Sequence, residues 1–273
     1  MQIIEALLNL NYTVALIALF TVFFTLEQLL NTQFRFTGRV NHLGNNLLFQ
    51  VVLFGINIFW ASVIVLAVDW LHEHKIGLLH QLELPFWAAL ISGLLLYDFS
   101  AYWFHRMAHR VPFVWRFHRV HHSDTSLDSS SNFRSHPLEI LFWFGASDLV
   151  ATAVFGLHPM ALGLYALILI PAFVIEHANL RFPTWLDKTV GLVITTPNFH
   201  KIHHDRDQHY TDSNYADVFI LWDRLFGTFK YKPPDQINFG LDEFDAPEKQ
   251  TFWYLIRSPF MKIERKTSDK LIS

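Results

Sequence analysis

The sequence predicts an all-α integral membrane protein, a helical bundle of about four to five apolar helices with a cytosolic helical cap. Three observations carry that prediction. Of the 273 residues, 52% are hydrophobic and only 16% are charged, whereas an ordinary soluble domain is about 25% charged. Five stretches are apolar over lengths comparable to the roughly 20 residues that a helix needs to cross a bilayer core. The 16 histidines are far from evenly spread. The same composition excludes other classes. There is no cysteine, so the chain offers no disulfide, no thiolate ligand and no iron–sulfur cluster of its own. A net charge of −3 provides no basic field for nucleic acid.

The first apolar stretch, Ile3–Leu30, lacks the basic start and small-residue cleavage site of a signal peptide and is expected to be retained. Asn9, Asn11 and Glu27 interrupt it. The second is Leu47–Leu71 and the third Leu84–Phe104. Leu138–Gly156 and Met160–Ile175 follow, and their short separation predicts a tight hairpin, fully spanning or only partly embedded. Lys and Arg set the orientation. Five crossings starting outside place 20 of the 21 basic residues on one side and leave Lys75 on the other. That side is therefore expected to be cytoplasmic, with the C-terminus. No repeat or linker divides the chain, so a single membrane domain over residues 1–273 is expected, with 1–104 mainly transmembrane and 98–229 carrying the histidine-rich region.

On this topology His72, His74, His80 and His158 fall outside, and His42 on an inner loop; all five read as solvated loop residues. Ten of the others are patterned. His105 and His109 close the third apolar helix at i, i+4, on one face. Asp98 lies seven residues earlier on the same stripe, an ionisable group near the membrane boundary. It is expected to accept a hydrogen bond from a metal-binding histidine. His118, His121 and His122 stand at i, i+3, i+4, and His200, His203 and His204 repeat that spacing about 80 residues later. A structural helix gains nothing from such clustering, whereas metal coordination uses neutral imidazoles converging on a point. His177 ends the fifth apolar stretch level with His105 and His109, and His136 precedes the fourth. Nine or ten imidazoles exceed what one ion takes and suit two metals with four or five nitrogens each. Spacing alone does not choose among iron, zinc, copper and nickel.

The boxes His105-x3-His109, His118-x2-His121-His122 and His200-x2-His203-His204 resemble the fatty acid hydroxylase/sterol desaturase superfamily of membrane di-iron enzymes. Flanking pieces match as well: Tyr102-Trp103-Phe104, His136-Pro137-Leu138-Glu139, Thr196-Pro197-Asn198-Phe199, Asn214-Tyr215 and Leu221–Thr228. The resemblance covers about Asp98–Phe229. It implies that His105, His109, His118, His121, His122, His177, His200, His203 and His204, with His136 as a tenth, hold two iron ions just below the bilayer surface, where zinc can be an adventitious substitute. It implies hydroxylation or desaturation of a lipid (a sterol or other isoprenoid, a fatty acyl chain, an ether lipid or a carotenoid) with O2. It also implies an external donor of cytochrome b5 or ferredoxin type with an NAD(P)H reductase, because the chain carries no flavin, haem or nicotinamide motif. The Trp222–Thr228 piece reads as a structural cap. Other classes stay open: a membrane metal-binding or transport protein, or an inactive pseudoenzyme of the same fold. A zinc hydrolase of the His-Glu-x-x-His type is disfavoured, since that motif does not occur.

Overall fold

The computed structural model describes residues 11–30, 32–34 and 38–263. Residues 3–10 of the first apolar stretch lie outside that range. The rest of the stretch forms α1 (Tyr12–Leu29), opened by the Asn11 side chain accepting from the Val14 N–H. The second becomes α2 (Arg39–Glu73). At 1.5 Å per residue its 35 residues reach about 52 Å, longer than a hydrocarbon core of about 30 Å, so its ends project beyond that core. Its middle exposes Val51, Phe54, Ile58, Phe59, Val65 and Leu66, as a lipid-facing helix does, while Phe49 and Leu53 turn inward. The third forms α3 (Phe86–Arg110).

α4 (Pro112–His122) begins one residue after α3 ends. Pro112 cannot continue an incoming helix but suits the first turn of a new one, so the chain folds back and brings His118 and His122 against His105 and His109. The fourth and fifth stretches form α5 (Pro137–Phe155) and α6 (Pro159–His177). They are joined by the expected tight hairpin, with Gly156 in the left-handed region at φ 65° and His158 capping α6. A Cβ on Gly77 would lie 2.1 Å from the Gly156 nitrogen, and Gly77 itself sits at φ 110°, so this corner requires glycine. Among the described residues three helical runs, Arg39–Gln81, Pro137–Phe155 and Pro159–His177, are long and apolar enough to cross a membrane. α3 is long enough, but Asp98, Ser100, His105, Arg106, His109 and Arg110 interrupt its second half.

α5 is not regular. Residues Ile140–Phe144 are wound as a π-helix, a local widening common at functional sites. The Trp60 indole donates to the Leu141 carbonyl at 3.0 Å. Gly145 admits the same ring, because a Cβ there would lie 2.3 Å from it. α3 packs on α4, α5 and α6, and α1 packs on α6. The C-terminal part supplies α7 (Pro197–His203), α8 (Leu221–Leu225) and α9 (Phe252–Arg257), the last packed against α2. No strand occurs among the described residues, only two isolated bridges.

One expectation about polar residues is corrected and another extended. His42 is not a solvated loop residue. It lies in the first turn of α2, largely covered, with Nε2 2.9 Å from the Asp124 carboxylate. The helix simply starts earlier than its apolar run. His72 is exposed, as expected, and His80 and His158 are partly so, but the three are neighbours: the His72 ring lies 5.0 Å from that of His80 and 5.1 Å from that of His158, because the Gly77–Gly156 contact draws the two corners together. Glu27, an interruption in an apolar stretch, proves to be a tie. Its buried carboxylate accepts from Ser129 N and Oγ and from Asn179 N at 2.7–3.0 Å, which answers the polar cost of burying it.

Candidate metal centre

Nine of the ten patterned histidines converge into two groups, each with ligand-capable atoms within 4.8 Å of one another. His105, His109, His118, His122 and His203 form the first; His121, His177, His200 and His204 form the second. Each triple box is divided between them. His118 and His122 go to the first group and His121 to the second, whereas His203 goes to the first and His200 and His204 to the second. Helix geometry explains the division. At about 100° per residue, i and i+4 diverge by about 40° but i+3 and i+4 by about 100°. The i, i+4 pair therefore points one way and the i+3 residue the other. Boxes two and three make the same division with the destinations exchanged.

Facing nitrogens lie 3.1–3.3 Å apart: His105–His118, His118–His122 and His105–His203 in one group, His121–His177, His177–His200 and His200–His204 in the other. Two nitrogens each about 2.1 Å from one ion, at angles of 90–109°, are about 3.0–3.4 Å apart. The donor set thus fits metal ions. Burial holds His121, His122, His200, His203 and His204 well below the usual imidazole range, and neighbouring imidazoles add to it. Neutral rings are the form that binds a metal.

The far sides of the rings are anchored, which fixes their tautomer and direction. His118 Nδ1 lies 2.6 Å from Glu139 Oε1. His105 Nδ1 donates to the Tyr215 carbonyl and His203 Nδ1 to the Ser213 carbonyl, both at 2.7 Å. His177 Nδ1 donates to Phe173 O at 2.7 Å and His121 Nδ1 to Arg134 O at 3.1 Å. The loop supplying the Ser213 and Tyr215 carbonyls is itself braced. The Asp223 carboxylate accepts from Tyr215 N and Ala216 N at 2.9 Å and from Thr228 Oγ1 at 2.6 Å. Asn214, at φ 51°, donates to Phe199 O and Lys230 O. The residues of the Leu221–Thr228 piece therefore act on the site through backbone.

Two site expectations are placed elsewhere. His136 joins neither group: Nδ1 accepts from Leu138 N at 3.2 Å, capping α5, and Nε2 lies 3.1 Å from Ile256 O. Proline at 137 makes residue 136 the cap, and that role turns the ring away. Asp98 touches none of the nine converging histidines. Its carboxyl accepts from Tyr165 OH at 2.5 Å, Trp222 Nε1 at 2.7 Å and Phe219 N at 3.3 Å, joining α3, α6 and α8. The seven-residue stripe leads to its helix neighbours, but a carboxylate on α3 meets tertiary donors first. Glu139 was legible only as part of a motif, and no spacing pairs it with His118. Asp217, 3.7 Å from His105 Nδ1, had no sequence signal at all; burial pushes its carboxyl up to about 8, and Asp98 and Asp223 add to that. Lys201, between the box-three histidines, points away from them and donates to Leu180 O and Gln33 Oε1 at 2.9 Å.

A cavity of about 230 Å³ opens against both groups, touching His105, His118, His121, His177 and His200. Its other wall includes Ile140 and Phe144 of the π-helical turn, Leu169 and Phe173 of α6, and Asp148.

Residues 90–228 match the family model for fatty acid hydroxylase. Among curated proteins, the human (Homo sapiens) alkylglycerol monooxygenase is 34% identical over 161 residues, 55% of this chain and 32% of that protein. A rice (Oryza sativa) very-long-chain aldehyde decarbonylase is 34% identical over 158 residues, 56% of this chain and 58% of that one. An ornithine lipid hydroxylase of Rhizobium tropici is 28% identical over 180 residues, 65% of this chain and 52% of that protein. The matched region thus spans between a third and three-fifths of these relatives. No solved structure matches the chain at a significant level.

Proposed function

The chain belongs to the fatty acid hydroxylase family, and from that premise we propose that it is a membrane-bound di-iron oxidoreductase that hydroxylates or desaturates a lipid with O2. The observation that carries this reading is the pair of buried, thiolate-free imidazole groups on one cavity. His105, His109, His118, His122 and His203 would hold one iron and His121, His177, His200 and His204 the other, with zinc as an adventitious substitute. Bound iron supplies what no side chain can, the reduction of O2 to a level that breaks an unactivated C–H bond. For hydroxylation the balance is one C–H bond, O2, two electrons and two protons giving an alcohol and water. Desaturation consumes the same O2, electrons and protons, removes two hydrogens and releases two waters. The electrons come from a donor of cytochrome b5 or ferredoxin type served by an NAD(P)H reductase.

The chain's own part is positional. Glu139 and the carbonyls of Tyr215, Ser213, Phe173 and Arg134 aim the imidazoles. The apolar wall of Ile140, Phe144, Leu169 and Phe173 accepts hydrocarbon and excludes water. The cap closes the site on the side proposed to face the cytoplasm. The lipid-directed names of the relatives support a lipid substrate. The deciding experiment is elemental analysis of anaerobically purified protein, followed by a lipid screen with O2 and reductant. About two irons per chain and an O2-dependent product are expected; one metal or none in folded protein sinks the reading and revives transport or a pseudoenzyme.

A further inference from the structure

α8 lies beside the middle of α3 and not at its histidine-bearing end. Phe99, at the midpoint of α3, places its ring 5.2 Å from that of Trp222 and 6.1 Å from that of Phe226. One residue earlier, Asp98 accepts from Trp222 Nε1 at 2.7 Å and from Phe219 N at 3.3 Å. The same carboxyl accepts from Tyr165 OH. Tyr165 lies in the first third of α6, 12 residues before His177. At 1.5 Å per residue it is about 18 Å from the histidine end of that helix, and a tyrosine side chain spans only a fraction of that length. α6 is long and apolar enough to cross a membrane. The stretch 219–226 therefore reaches hydrocarbon depth, although it follows α6 in the chain.

The surface at this depth is apolar. Trp185, Val190, Leu192, Val193, Leu221 and Leu225 are exposed, Leu192 at 59% and Leu225 at 69%. Their two stretches are tied together, Arg224 Nη2 donating to Gly191 O and Thr195 N to Val218 O, both at 2.8 Å. Leu221 and Leu225, at i and i+4, share one face of α8. The charges around them have one sign. Arg181, Lys188 and Arg224 are exposed. The acids of the same stretches, Asp187 and Asp223, are buried and bonded internally, Asp187 to Thr196 and Asn198 and Asp223 to Tyr215 N, Ala216 N and Thr228. Lys188 and Arg224 line one groove of about 400 Å³ with Thr184 and Tyr231. An apolar face rimmed by cations and a tryptophan is the pattern of a segment lying in a membrane interface.

We propose that residues 185–193 and α8 are embedded in the leaflet on the histidine side, with Leu192, Val193, Leu221 and Leu225 against acyl chains and Lys188 and Arg224 on the phosphates of the same phospholipids. The occupant of this face is the leaflet itself, as opposed to a soluble protein or a second copy of the chain. The cap expected to be cytosolic is then cytosolic only in part. Asp217, on the wall of the histidine cavity, lies two residues before Phe219, so that side of the cavity borders lipid and not water. The proposal asks nothing of the metals and stands apart from the oxidation reading.

The chain has no cysteine, so a single-cysteine variant carries one spin label. Nitroxides on Leu192→Cys, Leu225→Cys and Lys188→Cys are measured in nanodiscs of phosphatidylcholine and phosphatidylglycerol. Collision rates are read against O2, which concentrates in hydrocarbon, and against nickel ethylenediaminediacetate, which stays in water. Phe59→Cys, on the exposed middle of α2, and Glu248→Cys, exposed on the cap, are the references. The O2-to-nickel ratio at 192 and 225 is expected to match that at 59 and to exceed that at 248 by at least about tenfold, because a polar solute enters hydrocarbon at a cost of several kcal/mol. The label at 188 should fall between the two. Val193→Cys and Leu221→Cys give the same reading where a first variant misfolds. A ratio at 192 and 225 like that at 248 overturns the proposal. Low rates with both reagents overturn it too, since a second copy or another protein then covers the face. Metal count and lipid turnover are untouched by either failure, and their own failure leaves the embedded face standing.

Discussion

The Nδ1 atom of His118 lies 2.6 Å from Glu139 Oε1, and this contact joins the second histidine box to the first turn of α5. His118 also sits between His105 and His122, its Nε2 within 3.1–3.2 Å of each. The carboxylate therefore orients the middle ring of the five-histidine group, and the partner of a metal-binding imidazole also raises its basicity. Glu139→Gln keeps the shape and removes the charge. Metal affinity at the first group is expected to fall about 10- to 100-fold, with the second group filled as in wild type, as read by metal titration of the variant. Uniform retention at both groups would show that Glu139 does not orient the ring.

The division of the boxes makes a prediction about stoichiometry. His203→Ala removes a ring from the first group and His200→Ala one from the second, and each variant should hold about one metal per chain where the wild type holds about two. His136→Ala should leave the metal count unchanged and lower only the melting temperature, through loss of the α5 cap, by an amount corresponding to about 1 kcal/mol. Elemental analysis and thermal unfolding separate these outcomes. A lost metal in His136→Ala would return that residue to the ligand set.

The pH dependence follows from burial. His121, His122, His200, His203 and His204 hold their values below the ordinary 6.5 in the folded chain. Below about 6.5 the unfolded chain therefore binds more protons than the folded one, and stability falls as the pH falls. It is complete above that point and is not lost on the alkaline side through these groups. Melting temperature and metal retention measured from pH 8 to pH 5 should be flat at first and then drop together, with a slope of more than one proton per chain. A profile flat down to pH 5 contradicts the neutral-imidazole assignment.

Asp98 is a tie between three helices, so its effect should appear in stability before metal. Asp98→Asn turns an amide donor toward the Trp222 indole N–H and the Phe219 N–H or, flipped, toward the Tyr165 hydroxyl. A loss of about 1–3 kcal/mol is expected. Denaturant unfolding in micelles reads it, with metal content as the control. Loss of metal at unchanged stability would restore the role expected from the α3 stripe.

Much of the molecule was legible locally. Apolar run lengths predicted α2, α5 and α6, and the Gly156–Pro159 corner predicted their hairpin. Helical spacing picked out eight of the nine converging histidines, six at i, i+3, i+4 and two at i, i+4, because helical periodicity is a property of neighbours in sequence; His177 was placed by its level at the end of its apolar stretch. His42 was misplaced because the polar first turns of α2 carry no apolar signal, although they continue the same helix.

The partners were not legible. Which ring of each box joins which group depends on where α4 and α7 stand relative to α3 and α6, and that is set by the packing of residues up to a hundred positions apart. His118 with Glu139, Asp98 with Tyr165 and Trp222, and α8 beside the middle of α3 are all of this kind. The sequence by itself determined the elements, the membrane character and the clustering of imidazoles, since each follows from composition and period. Tertiary structure alone decided the grouping of ligands, the carboxylates that serve them and the shape of the cavity, because hydrogen bonds and burial act through space and leave no trace in spacing along the chain.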